Sequence, residues 1–105
     1  MATIHNLLNN ATSTVTGNPL KLDVGIMRGG GSIPIVISGI TTATVILEGT
    51  VATDLQVENG SAMWEKINLA EWTADVADGL FTPFTHIRGR VTAYTAGNIY
   101  MKTIT

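Results

Sequence analysis

The feature that most constrains this chain is the alternation running through Phe84–Thr105. In its first part Ile87, Gly89, Val91 and Ala93 fall on one side of an extended backbone, and His86, Arg88, Arg90, Thr92 and Tyr94 on the other. A period of two, rich in β-branched and aromatic residues, marks a strand with one buried face, because successive side chains of extended backbone point in opposite directions. Ala96-Gly97-Asn98 interrupts the run, and glycine supplies the positive φ that a tight connection needs. Ile99, Met101 and Thr103 then resume on one face. The expectation is an antiparallel hairpin, 84–94 against 99–105.

The rest of the chain reads in the same key. Leu20, Leu22, Val24 and Ile26 alternate after a Gly17-Asn18-Pro19 turn. Arg28 with Gly29-Gly30-Gly31 has the spacing of neither a P-loop nor a dinucleotide fingerprint, and reads as a loop. Ile33–Ile37 is an apolar strand that Pro34 assigns to an edge or a start. Thr42–Glu48 is another, with Val45 and Leu47 inward, and Met63–Leu69 alternates again. Val51, Leu55 and Val57 suit a short extra strand in 49–62. Asn68-Leu69-Ala70-Glu71 has the form of a capping box, and Leu69, Trp72 and Val76 follow at helical spacing, so at most one short helix is expected, near 68–78.

These readings give an all-β class: an antiparallel β-sandwich or jelly roll of about seven or eight short strands. Each strand hides one face, so two sheets must stack on those faces. A chain of 105 residues makes one domain, with an N-terminal arm and first strands in 1–32 and the main body in 33–105. In 1–11, Ile4, Leu7, Leu8 and Ala11 stand at helical spacing on a segment too short for a stable lone helix. The functional reading is an apolar arm that orders on a partner. The alternative is a first strand packed on its own domain.

Charge narrows the function. Charged residues are 13% of the chain, about half the usual share, and Thr, Asn, Ser and Gly fill the polar positions. So little surface charge suits a protein covered by neighbours better than a free monomer. Seven of the acids lie between Glu48 and Asp78 with Lys66 as the sole base there, while the rest of the chain is basic. If the two sets occupy different surfaces the molecule is bipolar, which favours ordered docking. Six Lys and Arg are too few for a nucleic-acid surface. No apolar run is long enough for a membrane span, and the N-terminus lacks the pattern of a secretion signal, so synthesis in a cytoplasm is expected.

Catalytic chemistry finds no constellation. There is no Cys, so neither a disulfide framework nor a thiolate zinc site. His5 and His86 stand in no ligand-spaced motif, and the serines lack a nucleophile elbow. No enzyme, metal or cofactor is expected. A binding surface is, and its candidate residues are Ile4, Leu7 and Leu8 on the arm with His86, Arg88, Arg90, Tyr94 and Tyr100 on the final strands. Arg and Tyr together have the composition of an interface hot spot. Trp64 and Trp72 read as core or core edge, or else as platforms for a sugar.

Ala43-Thr44-Val45-Ile46-Leu47-Glu48-Gly49, the downstream Trp64 and Ile67, and the run from Phe84 to Tyr100 together resemble small tailed-bacteriophage virion proteins of the β-sandwich capsid decoration or cement type. The likeness covers about half the chain and excludes residues 1–32. A longer Gly49-to-Trp64 link, and His86 where an aromatic is common, depart from the pattern. The resemblance implies a homo-oligomer, dimer or trimer, that binds the major capsid protein on the virion surface. The second expectation is a carbohydrate- or receptor-binding β-sandwich on a tail or fibre.

Overall fold

The computed structural model describes residues 4–22, 32–81 and 84–104. Val24, Ile26 and the glycine run after Arg28 lie outside them. The elements in chain order are β1 (Ile4–Ala11), β2 (Val15–Thr16), β3 (Leu20–Lys21), β4 (Ser32–Thr50), α1 (Asp54–Glu58), β5 (Glu65–Trp72), β6 (Val76–Phe81) and β7 (His86–Ile104). The all-β expectation holds.

The expected hairpin at 84–105 is instead one continuous strand, β7, of 19 residues. It is paired along its whole length with a second strand of 19 residues, β4, from Ile35↔Thr103 to Thr50↔His86. On its other side both halves of β7 are paired with the N-terminal segment. Ile4 opposes Ile104, Ala11 opposes Ile99, Val15 opposes Val91 and Leu20 opposes Ile87. The far edge of β4 carries β6 against its first half and β5 against its second. Every pairing is antiparallel.

Two layers arise because this sheet is folded across its strands. Gly39 on β4 and Gly97 on β7 have φ of 84° and 131°, values that a side chain resists. The β4–β7 register slips repeatedly between Ser38 and Val45, the signature of bulges that bend strands. The bend turns the two halves of β7 towards each other: a Cβ on Gly89 would lie 3.0 Å from Met101 Sδ and 3.0 Å from Leu8 Cγ. Ile35, Ile37, Val45, Leu47, Ile87, Val91, Ile99 and Met101 fill the space between the layers in one cluster.

Two local expectations are corrected. Residues 65–72 and 76–81 are strands, and the one helix of the described residues is α1, capped by Thr53 and Gln56 in a reciprocal box. Residues 4–11 are not an arm but an edge strand of the sheet, with Leu7, Leu8 and Ala11 buried in the shared core. The reason is the same in both places. A bulge, at Leu69 (φ 66°) and near Asn10 (φ 55°), inserts residues that break the alternation and bring buried positions to three-residue spacing.

Candidate functional site

On the outer face of the half-sheet formed by residues 43–50 and 86–94, β4 and β7 place Glu48 beside Arg88 and Thr50 beside His86. These positions alternate with the core residues Leu47, Ile87 and Val91, so they should face solvent. They do not: Glu48 is 6% and His86 5% exposed, and Thr50 is buried. The cover is the connection 51–64, a strap that crosses the face and is tied down at three places.

At the first, α1 sets Asp54 Oδ1 2.9 Å from Nε2 of His86 and Oδ2 2.8 Å from Lys21 Nζ. An ionised carboxylate only accepts, so the bridging hydrogen belongs to the ring nitrogen. The hydrogen bond from Lys21 is the main reason that the Asp54 carboxyl titrates below its ordinary value, and His86 adds to it. At the second, the Thr85 hydroxyl oxygen accepts from the Ala52 amide at 3.1 Å and lies 2.9 Å from His86 Nδ1, while the Thr50 hydroxyl donates to the Met63 carbonyl at 2.7 Å. At the third, the Arg88 guanidinium lies 4.1 Å from the centre of the Trp64 ring, a cation–π stack, while its Nε donates to Glu48 at 2.9 Å. Arg90 reaches the other Glu48 oxygen at 3.4 Å. Two cations thereby compensate a buried carboxylate that could not stand alone.

The strap inverts the usual order of polarity. It hides charged groups and turns Val51, Leu55 (67% exposed) and Met63 (88%) outward. Glu58 lies one helical turn from Leu55, and Glu65 two residues from Met63. On the opposite outer face, the half-sheet of β1, the end of β7 and the start of β4 shows a second apolar surface. Ile4 (65% exposed), Pro34, Val36 and Ile104 surround the single charge of Lys102.

The interface residues expected from sequence divide among these places. Leu7 and Leu8 are core and unavailable to a partner, and His86 is sealed beneath the strap. Arg88 and Arg90 are engaged with Glu48. Tyr94 does not share their face: the register shift between Thr44 and Val45 turns it against the core, where its hydroxyl donates to the Gly97 carbonyl at 2.6 Å. Tyr100 alternates with buried Ile99 and Met101 and so belongs to the opposite outer face, half-exposed, on the side of Ile4. Ile4 alone among the arm residues is freely presented. Trp72 is buried and Trp64 is half-buried beneath Arg88. Of the acids between Glu48 and Asp78, three are matched in place, Glu48 by Arg88 and Arg90, Asp54 by Lys21 and Glu71 by Lys66. Sequence reading missed Val51, Leu55 and Met63; the Thr53-Asp54-Leu55-Gln56 capping signature was the available signal.

Among the described residues no three His, Cys, Asp or Glu side chains gather in a metal-binding group, and no helix is long and apolar enough to cross a membrane. No protein-family model, curated protein or solved structure matches the chain.

Proposed function

We propose that this is a phage virion structural protein that decorates or cements the capsid shell, working by protein–protein binding as a homo-oligomer on the major capsid protein. The observation that carries the reading is the pair of apolar surfaces, Ile4/Val36/Ile104 and Val51/Leu55/Met63, on opposite outer faces of a small folded sheet. Contiguous exposed apolar residues rimmed by polar ones mark interaction sites. The groups best suited to acid–base chemistry, Glu48, Asp54 and His86, are engaged in holding the strap. Cementing then follows from mass action, because a ligand that binds only the assembled shell stabilises it.

The test is cosedimentation with undecorated shells assembled from tailed-phage major capsid proteins, followed by thermal disruption of those shells. Bound protein and a raised disruption temperature are expected. Protein that ignores shells in every maturation state overturns the reading.

One observation favours a receptor- or carbohydrate-binding role on a tail or fibre. A hollow of about 280 Å³ at the bend is lined by Thr41, Thr42, Thr44, Thr73, Tyr94 and Thr95, a hydroxyl-rich wall beside an aromatic ring. A glycan screen of the wild type beside Tyr94→Ala decides it: sugar binding lost in the variant supports this role over decoration.

A further inference from the structure

We infer that copies of this chain associate head to tail, the apolar face around Lys102 on one copy seating on the strap of the next. This deepens the oligomer part of the proposed function and rests on it. The monomer leaves a specific charge remainder. Lys21 pairs with Asp54, Lys66 with Glu71, and Arg88 and Arg90 with Glu48. Among the described residues Lys102 is the one Lys or Arg without an acid in ion-pair reach, and Glu58, Glu65, Asp75 and Asp78 have no base. The unspent cation stands amid Ile4, Pro34, Val36 and Ile104. Of the carboxylates, Glu58 stands one helical turn from Leu55 on the strap, whereas Glu65 opposes Gly49 on the inward side of Ile67 and Asp75 accepts from the Ile40 amide. Asp78, on the edge strand of the Lys102 layer, opposes inward-facing Ile35 and bonds the Gly79 amide, so it is directed away from this face.

Three self-contacts are conceivable, and charge separates them. Two Lys102 faces about a two-fold axis bring like cations together inside an apolar contact. Two straps bring carboxylates together. Only the Lys102 face on the strap sets opposite charges within matching apolar surrounds, and like-charge juxtaposition costs several kcal/mol where opposite charges gain. The two surfaces occupy opposite outer faces of the folded sheet, so one copy can engage a neighbour through each at once. Such a heterologous contact closes into a ring if its rotation permits and otherwise extends into a stack.

The experiment uses three proteins: wild type, Lys102→Glu, and Glu58→Lys, each checked for fold by circular dichroism and thermal melting. Sedimentation velocity over a concentration series gives the self-association constant. Wild type is expected to assemble, and each variant alone to weaken by at least about tenfold. An equimolar mixture of the two variants is expected to recover assembly, because each variant's altered face then meets the other's complementary one. Wild type that stays monomeric overturns the contact. So does a Lys102→Glu effect without an effect of Glu58→Lys, which would mean a two-fold contact, or a mixture that stays dissociated. The shell assay keeps the two readings apart. Monomeric wild type that still binds shells removes only this contact, and assembling wild type that ignores shells removes only the capsid role.

Discussion

Asp54 on α1 and His86 at the start of β7, 32 positions apart in the chain, meet at 2.9 Å, and through them the strap is fixed to a sheet face that would otherwise be wet. The Asp54 carboxyl is held below its ordinary value, chiefly by Lys21, and the Lys21 ammonium is held above its own by the same pair. A depressed acid contributes stability in full above the ordinary carboxylate range, about 4, and loses it as pH falls through the lowered value. A raised lysine contributes in full below about 10.4 and loses it as pH climbs past the raised value. Hydrogen exchange of 53–62, corrected for intrinsic rates, should therefore accelerate below about pH 4, and Asp54→Asn should flatten that dependence. Identical acid profiles in both proteins would show that the tie does not hold the strap.

The N-terminal strand belongs to the fold. Leu7 is among the largest fully buried side chains, so Leu7→Ala should cost about 2–5 kcal/mol in urea unfolding. Removal of residues 1–11 should lower the melting temperature steeply, because it strips the pairing from the last half of β7 as well. An unchanged melting point would mean that this strand does not pack as described.

Gly39 and Gly97 carry the bend. A side chain on Gly97 would place Cβ 2.5 Å from the Gly39 carbonyl oxygen, and one on Gly39 would meet the Asn98 carbonyl. Backbone does not yield as the end of a flexible side chain does. Gly39→Ala and Gly97→Ala should each destabilise by more than the roughly 1 kcal/mol of a positive-φ penalty alone, whereas Gly60→Ala, at φ 79° but in open space, should cost only that penalty. Equal losses at all three would show that the close approach is unimportant.

Thr103 is 1% exposed, and its hydroxyl meets no hydrogen-bond partner among the described residues. Thr103→Val keeps the volume and removes the unsatisfied group, so the midpoint of denaturation should rise by an amount worth about 1–2 kcal/mol. A loss of stability would reveal a partner for that oxygen.

Arg88 joins Glu48 to Trp64 and should matter more than Arg90, which is farther from the carboxylate and half-exposed. Arg88→Ala should cost about 1–3 kcal/mol and change the Trp64 fluorescence, and Arg90→Ala clearly less. A reversal of that order would place the main compensation of Glu48 on Arg90.

The inward positions Ile87/Gly89/Val91, Val45/Leu47 and Ile99/Met101/Thr103 were legible because alternation is a local property of extended backbone, and they are buried; Ala93, expected on the face of Val91, is exposed because the register shift between Thr44 and Val45 inserts a residue before it. The bend was not. A glycine flanked by Ala and Asn serves a hairpin as readily as a bulge, and what selects the bulge is Gly39, far away on the partner strand. The helical spacings at Ile4/Leu7/Leu8/Ala11 and Leu69/Trp72/Val76 misled for a physical reason: an inserted residue shifts a strand's phase, so Ile67, Ala70 and Trp72 come inward while Leu69 stands out. The outward alternation at His86 and Arg88 was right about direction, yet the exposed surface of that face is built by a strap whose path only tertiary contacts determine.

Both layers are halves of the same strands, and β7, central to each, is made after every element that pairs with it. A growing chain can therefore pair β4 with β5 and β6 early, but β1, β2 and β3 have no strand to join until β7 is made. Joining Ile4 to Ile104 then closes a loop of nearly the whole chain, and contacts of such sequence separation make the docking of the N-terminal strands the slow, late step of folding.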